Sequence, residues 1–242
     1  MVKKGFSGIF SARNVAYLGV LLAMLILFQC LAGFGFLTFG TTSISLSLVP
    51  IVLGGILLGW IHGAILGFAF GFIVLMFGVA GTDVFTATLL ANVPFMTVLI
   101  CFVKGIAAGI VPALLYRLIA PKSTLAAVIV ASLSAPVVNT GLFILGCLCI
   151  TNTIAIFQEP LGMEGLNIFV FILVGIVTYN FFIEFAINVV LAPAIHRVVL
   201  VTEKTIKKKH VNEDVTVLET EKDAPVLEAK QDDPVPETEK EE

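Results

Sequence analysis

The sequence predicts an all-α fold: an integral membrane bundle of six transmembrane helices with N- and C-termini cytoplasmic. Three observations predict it, namely an extreme apolar composition, apolar runs of bilayer length, and basic residues confined to alternate loops. Of the 242 residues, 58% are hydrophobic and 13% charged, and the mean hydropathy is +1.06. A water-soluble domain of this size cannot hide so many apolar side chains, because its own surface must face water. The charges are also segregated. Between Met1 and Thr202 the only acidic residues are Asp83, Glu159, Glu164 and Glu184. The net charge of −3 therefore averages a slightly basic body and an acidic tail.

A helix that crosses the hydrocarbon core needs about 20 apolar residues. Runs that meet or approach this length lie at 15–34, 45–59, 62–81, 89–118, 124–150 and 168–199. The second is short; the fourth and sixth have length to spare for tilt or an interfacial turn. The breaks have local causes. Gly33, Gly35 and Gly40, with Thr41 and Thr42, predict a loosely structured first loop. Gly59 and Gly63 bracket a tight turn, the stretch 78–83 ends the third run, and Pro121 ends the fourth. A polar connector with Glu159, Pro160 and Gly162 separates the last two runs.

Lys3 and Lys4 precede an apolar run too long for a signal-peptide core, so the first helix is expected to be retained. Three regions follow: a cytoplasmic N-terminus (1–14), the six-helix membrane domain (15–199), and a cytoplasmic tail (200–242). The tail opens with a basic cluster, KTIKKKH at 204–210, suited to anionic lipid heads. Its remainder is acidic, contains proline and lacks aromatics, and is expected to be disordered.

Basic residues favour cytoplasmic loops. With the N-terminus inside, Lys3, Lys4, Arg13, Arg117, Lys122, Arg197 and the tail lysines all fall on that side. The outer loops hold Asp83, Glu159 and Glu164, with no Lys or Arg. Changing the span count by one would destroy this partition.

Several chemistries lack their motifs. There is no Walker sequence, no His-Glu-x-x-His spacing and no Gly-x-Ser-x-Gly elbow. Cys30, Cys101, Cys147 and Cys149 sit in apolar runs and read as packing residues. No catalytic residue, cofactor, metal site or nucleic-acid partner is expected.

What stands out is polarity inside the spans. Lys104 and Glu184 lie mid-run, where an unpaired charge costs about 2.5–3.5 kcal/mol. Either they pair with each other, or they face a cavity and meet a polar solute; a lysine there suits a carboxylate. Asn180, Glu184 and Asn188 share a spacing of four and form one stripe. With Asn92 and Asn139 they are candidates for solute contact or for hydrogen bonds between helices. Phe34, in the first loop, belongs to an aromatic cover or an interfacial anchor. Small residues recur in two places. Gly59, Gly63, Gly67 and Gly71 form a ladder for close helix packing. Ala12, Ala16, Gly19 and Ala23 share one side of the first helix, a face for the bundle or for a second protein.

The runs LSLVPIVLGGILLGWIHGAILGFAFGF, CFVKGIAAGIVPALLY and PVVNTGLFILG, with the small-residue first helix, resemble the substrate-binding S components of energy-coupling factor (ECF) transporters. The resemblance spans about 12–197. It implies a non-enzymatic subunit of an ATP-driven vitamin importer in a bacterial plasma membrane, binding its vitamin near the outer face. It also implies a transmembrane coupling protein and two ATPase subunits as partners, docked on the first helix through Ala12, Ala16, Gly19 and Ala23. Ala12 and Ala16 match the family's Ala-x-x-x-Ala pair, whereas Gly19 and Ala23 sit deeper. CFVKGIAAG is similar to the pantothenate-type branch, which makes Lys104, Asn139, Asn180, Glu184, Asn92 and Phe34 candidate vitamin contacts. Folate, pyridoxine and hydroxymethylpyrimidine types remain alternatives, as does a membrane enzyme or scaffold.

Overall fold

The computed structural model describes residues 11–33, 38–39, 42–43 and 46–222. The fold is built of helices apart from a two-residue hairpin in the first loop, where Thr38 pairs with Ser43 and Phe39 with Thr42. Helix α1 is Ala12–Gly33, and α2 is Leu48–Leu58. They are followed by α3 (Trp60–Val79), α4 (Val84–Asn92), α5 (Pro94–Ile119) and α6 (Thr124–Cys149). A short helix, α7 (Thr151–Ile154), and a 3-10 turn, Ala155–Phe157, begin the long connector to the last helical run. The last helical run begins as α8 (Ile168–Phe171), widens into a π turn at Ile172–Val177, and continues as α9 (Thr178–Lys222). Among the described residues, five helical segments have the length and apolarity to cross a membrane: Ala12–Ala32, Trp60–Val79, Pro94–Ile119, Thr124–Cys149 and Asn180–Thr202.

The boundaries follow from local chemistry. Gly59 takes φ +103°, a conformation costly for a side chain, and separates α2 from α3. Asp83 caps α4: its Oδ1 accepts from the Thr86 amide at 3.3 Å and its Oδ2 from the Thr86 hydroxyl at 2.5 Å. Ser123 caps α6 in the same way, accepting from the Ala126 amide at 3.3 Å.

Three expected elements differ. The run 89–118 is two helices, because Val93 leaves the helical region and Pro94 restarts the chain at the first position of α5. The second span is realised as an 11-residue helix, about 16 Å long at 1.5 Å per residue, well short of the hydrocarbon core. The tail, expected to be disordered beyond the basic cluster at 204–210, is helical as far as Lys222; no Gly or Pro interrupts 194–222, and Pro225 follows soon after. Residues 223–242 lie outside the described residues.

The body, up to Leu200, and the following segment from Val201 are separate compact units. Within the body, α3–α5 and α5–α6 are the most extensive pairs. The glycine ladder explains the first. A Cβ on Gly63, Gly67 or Gly71 would strike the backbone carbonyl of Gly109, Gly105 or Cys101, respectively. Reciprocally, a Cβ on Gly105 or Gly109 would strike the carbonyl of Gly67 or Gly63. The two backbones touch, which is the packing that small residues permit in lipid. Gly59 is the helix break and lies outside this contact, since a Cβ there meets nothing within 4 Å.

Two apolar clusters result. One joins α1, α2, α3, α6 and α9 through Leu25, Ile51, Leu66, Val128 and Ile195. The other joins α4, α5, α6 and the π turn through Leu89, Ile100, Cys147 and Ile172. Gly67→Val would force a methyl group into the Gly105 carbonyl, with an expected cost of about 1–3 kcal/mol. A thermal melt of the purified protein in detergent should show a midpoint several degrees lower. An unchanged midpoint would mean that the α3–α5 approach is not tight.

Candidate binding cavity

A cavity of about 150 Å³ lies where the two apolar clusters meet: Phe70 belongs to one, Ile176 and Val177 to the other, and all three line it. Six helices and two turns contribute. Helix α1 supplies Gln29 and Ala32; α3 supplies Phe70, Val74 and Phe77. The α3–α4 turn and the start of α4 supply Thr82, Asp83, Phe85 and Thr86. Lys104 comes from α5, and Asn139, Thr140 and Phe143 from α6. The π turn and α9 supply Ile176, Val177, Asn180 and Glu184.

The Lys104 ammonium lies over two aromatic faces, 4.9 Å from the ring centre of Phe143 and 5.9 Å from that of Phe70. Among the described residues it forms no ion pair, so direct pairing with Glu184 is not the arrangement found. Glu184 is 1% exposed. Its Oε1 accepts from Asn180 Nδ2 at 3.3 Å, and its backbone carbonyl accepts from Asn188 Nδ2 at 2.8 Å. The stripe predicted from the four-residue spacing is therefore linked along its own helix. Asn139 is buried, and its Oδ1 has no hydrogen-bond donor among the described residues. Gln29 is fixed from the opposite side, with its Oε1 accepting from the Ser47 hydroxyl at 3.0 Å.

Four of the six predicted contact residues thus line one cavity: Lys104, Asn139, Asn180 and Glu184. Asn92 does not line it. It is exposed near the end of α4, where its amide donates to the Thr88 carbonyl at 2.8 Å. The break at Pro94 ends α4 two residues after Leu90, so Asn92 lies at a helix end and not within a long span. Phe34 lies outside the described residues. Ala12, Ala16, Gly19 and Ala23 are all exposed on α1, and a Cβ on Gly19 would meet nothing within 4 Å.

Sequence reasoning missed the aromatic lining, Phe70, Phe77, Phe85 and Phe143, because phenylalanine in an apolar run signals nothing by itself. It also treated Asp83 as a loop acid. Its spacing of three to Thr86 was the available signal, since that is the spacing of a helix cap. Gln29 was visible as a polar residue in a span, but nothing in the sequence tied it to Lys104.

The family model for the ECF transporter substrate-specific component matches residues 13–196. This chain belongs to the ECF substrate-specific components. It is accordingly a multi-pass membrane subunit of a transporter, not an enzyme; such components bind substrate and partner with the ECF module. No curated protein matches the chain with significance.

The undonated Asn139 oxygen yields a prediction about this S component without substrate. A buried, unsatisfied polar group costs about 1–3 kcal/mol. Asn139→Leu should therefore leave the melting midpoint of the substrate-free protein equal or raised. A fall of several degrees would show that Asn139 has a structural partner instead.

Proposed function

We propose that this S component captures a small water-soluble vitamin bearing a carboxylate, with pantothenate the best fit, and delivers it to an ATP-driven module in a bacterial plasma membrane. The observation that carries the reading is Lys104: a cation on the wall of an otherwise aromatic and amide-rich cavity, with no ion pair among the described residues. A carboxylate is the natural complement of a half-buried ammonium that lines a cavity. The remaining polar groups, Asn139, Thr140, Asn180 and Gln29, offer hydrogen bonds to hydroxyl and amide groups of such a molecule. Asp83 and Glu184 in the same lining disfavour a second negative charge and so weigh against folate. They also support a second reading, a pyridoxine-type ligand that donates hydrogen bonds without needing the lysine.

The charge partition supports a six-span topology with both termini cytoplasmic. In that topology α2 and the preceding loop together return the chain to the inner side, although α2 alone is too short to span the core. The exposed face of Ala12, Ala16, Gly19 and Ala23 supports docking of the coupling protein, with its two ATPase subunits, on α1.

Two measurements test this. Removing one partner of a desolvated charge pair costs about 2–5 kcal/mol. Calorimetric titration should therefore show Lys104→Ala binding pantothenate at least about 30-fold more weakly than the parent. Equal affinity would remove Lys104 from the site. For docking, the double substitution Ala16→Leu with Gly19→Leu should abolish co-purification of the coupling protein while vitamin binding persists. Retained co-purification would move the docking face elsewhere.

A further inference from the structure

The aromatic residues around Lys104 form a continuous column. Phe157, in the 3-10 turn, stacks on Phe85 of α4 with centroids 4.6 Å apart. Phe85 meets Phe143 of α6 at 5.8 Å, with the rings tilted at 56°. Phe143 in turn presents its face to the Lys104 ammonium at 4.9 Å. Phe70, 3% exposed, holds the ammonium from α3 at 5.9 Å. A lysine has a long flexible stem, and a charged head set in an apolar run would otherwise reach for the nearest water.

Holding such a head with aromatic rings differs from holding it with a carboxylate. A carboxylate partner neutralises the ammonium and must be displaced before an anionic ligand can bind. A ring face attracts the cation through its quadrupole and carries no net charge. A ring contact of this kind orients the ammonium without neutralising it.

We propose that Phe143, backed by Phe85 and Phe157, is a positioning residue that holds the Lys104 ammonium at the cavity wall and thereby sets the preference for an anionic ligand over a neutral one of the same shape. The proposal rests on the carboxylate reading for its ligand and on the ring geometry for its mechanism, and the two parts are tested by different readouts. The column also links the connector after α6 to the lysine, so packing at Phe157 bears on how the ammonium is held.

The first readout needs no ligand. In protein labelled with ¹³C at lysine Cε and purified whole in detergent, the Lys104 signal, assigned by its loss in Lys104→Arg, should be displaced upfield by the ring currents. Phe143→Leu should move it back toward the position of exposed lysines, and Phe143→Tyr should keep it displaced. The second readout is the ratio of affinities for pantothenate and for pantothenol, in which an alcohol replaces the carboxylate. A cation–π contact of about 1–2 kcal/mol corresponds to a loss of about 5- to 30-fold in that ratio for Phe143→Leu. Phe143→Tyr should restore it.

An undisplaced Lys104 signal in the parent protein overturns the proposal, and needs no variant to fold. So does a Phe143→Leu protein in which both affinities fall by the same factor, because that is the signature of lost packing alone. If the parent binds neither compound, the carboxylate reading and the proposed preference both fall, and the lysine signal then decides the positioning role by itself.

Discussion

The constraint on which the rest depends is the contact between the backbones of α3 and α5. Gly63, Gly67 and Gly71 meet the carbonyls of Gly109, Gly105 and Cys101. In lipid there is little hydrophobic gain in bringing two helices together, so the contact relies on close packing that only small residues allow. Its consequence reaches the site. With the two axes this close, Phe70 of α3 and Lys104 of α5 occupy neighbouring positions, and a Cβ on Gly105 would already lie 3.3 Å from the Phe70 ring. Lys104 and one of its two aromatic neighbours are thus placed by glycines that do not line the cavity.

The opposite wall is built differently. Asn180 and Glu184 reach the cavity from α9, just beyond the π turn at Ile172–Val177. One wide turn changes which face of the following helix points inward, and π turns recur where function requires such a change. The end of the cavity at the α3–α4 turn is held by Asp83, whose carboxylate caps α4 through Thr86. A rigid glycine-packed pair, a re-registered helix and a capped rim therefore converge on one small polar space between two apolar clusters.

Ala12, Ala16, Gly19 and Ala23 leave an exposed side on α1, a helix whose opposite side is fixed by Leu21 and Leu25 in the core. In the proposed reading, substrate contact and partner contact fall on different surfaces of the subunit. That separation suits a subunit that must engage both a small molecule and a protein.

Much of this was legible in the residues themselves. Composition specified lipid as the solvent, and runs of apolar residues marked all the long helices, because bilayer thickness imposes a length that a sequence displays directly. Lys104, Asn139, Asn180 and Glu184 were visible as candidates because polar side chains in a span are expensive and therefore rare. Asn92 reads as a span residue in sequence, whereas the Val93–Pro94 break places it at an exposed helix end away from the cavity lining. Only the tertiary structure decided that the Lys104 ammonium lies over the rings of Phe143 and Phe70, and that Asp83 and Gln29 reach the same cavity. The physical reason is that a sequence records the cost of each group along one chain. Which groups share that cost depends on how closely the helices approach, and here backbone contact at the glycines of α3 and α5 set the distance.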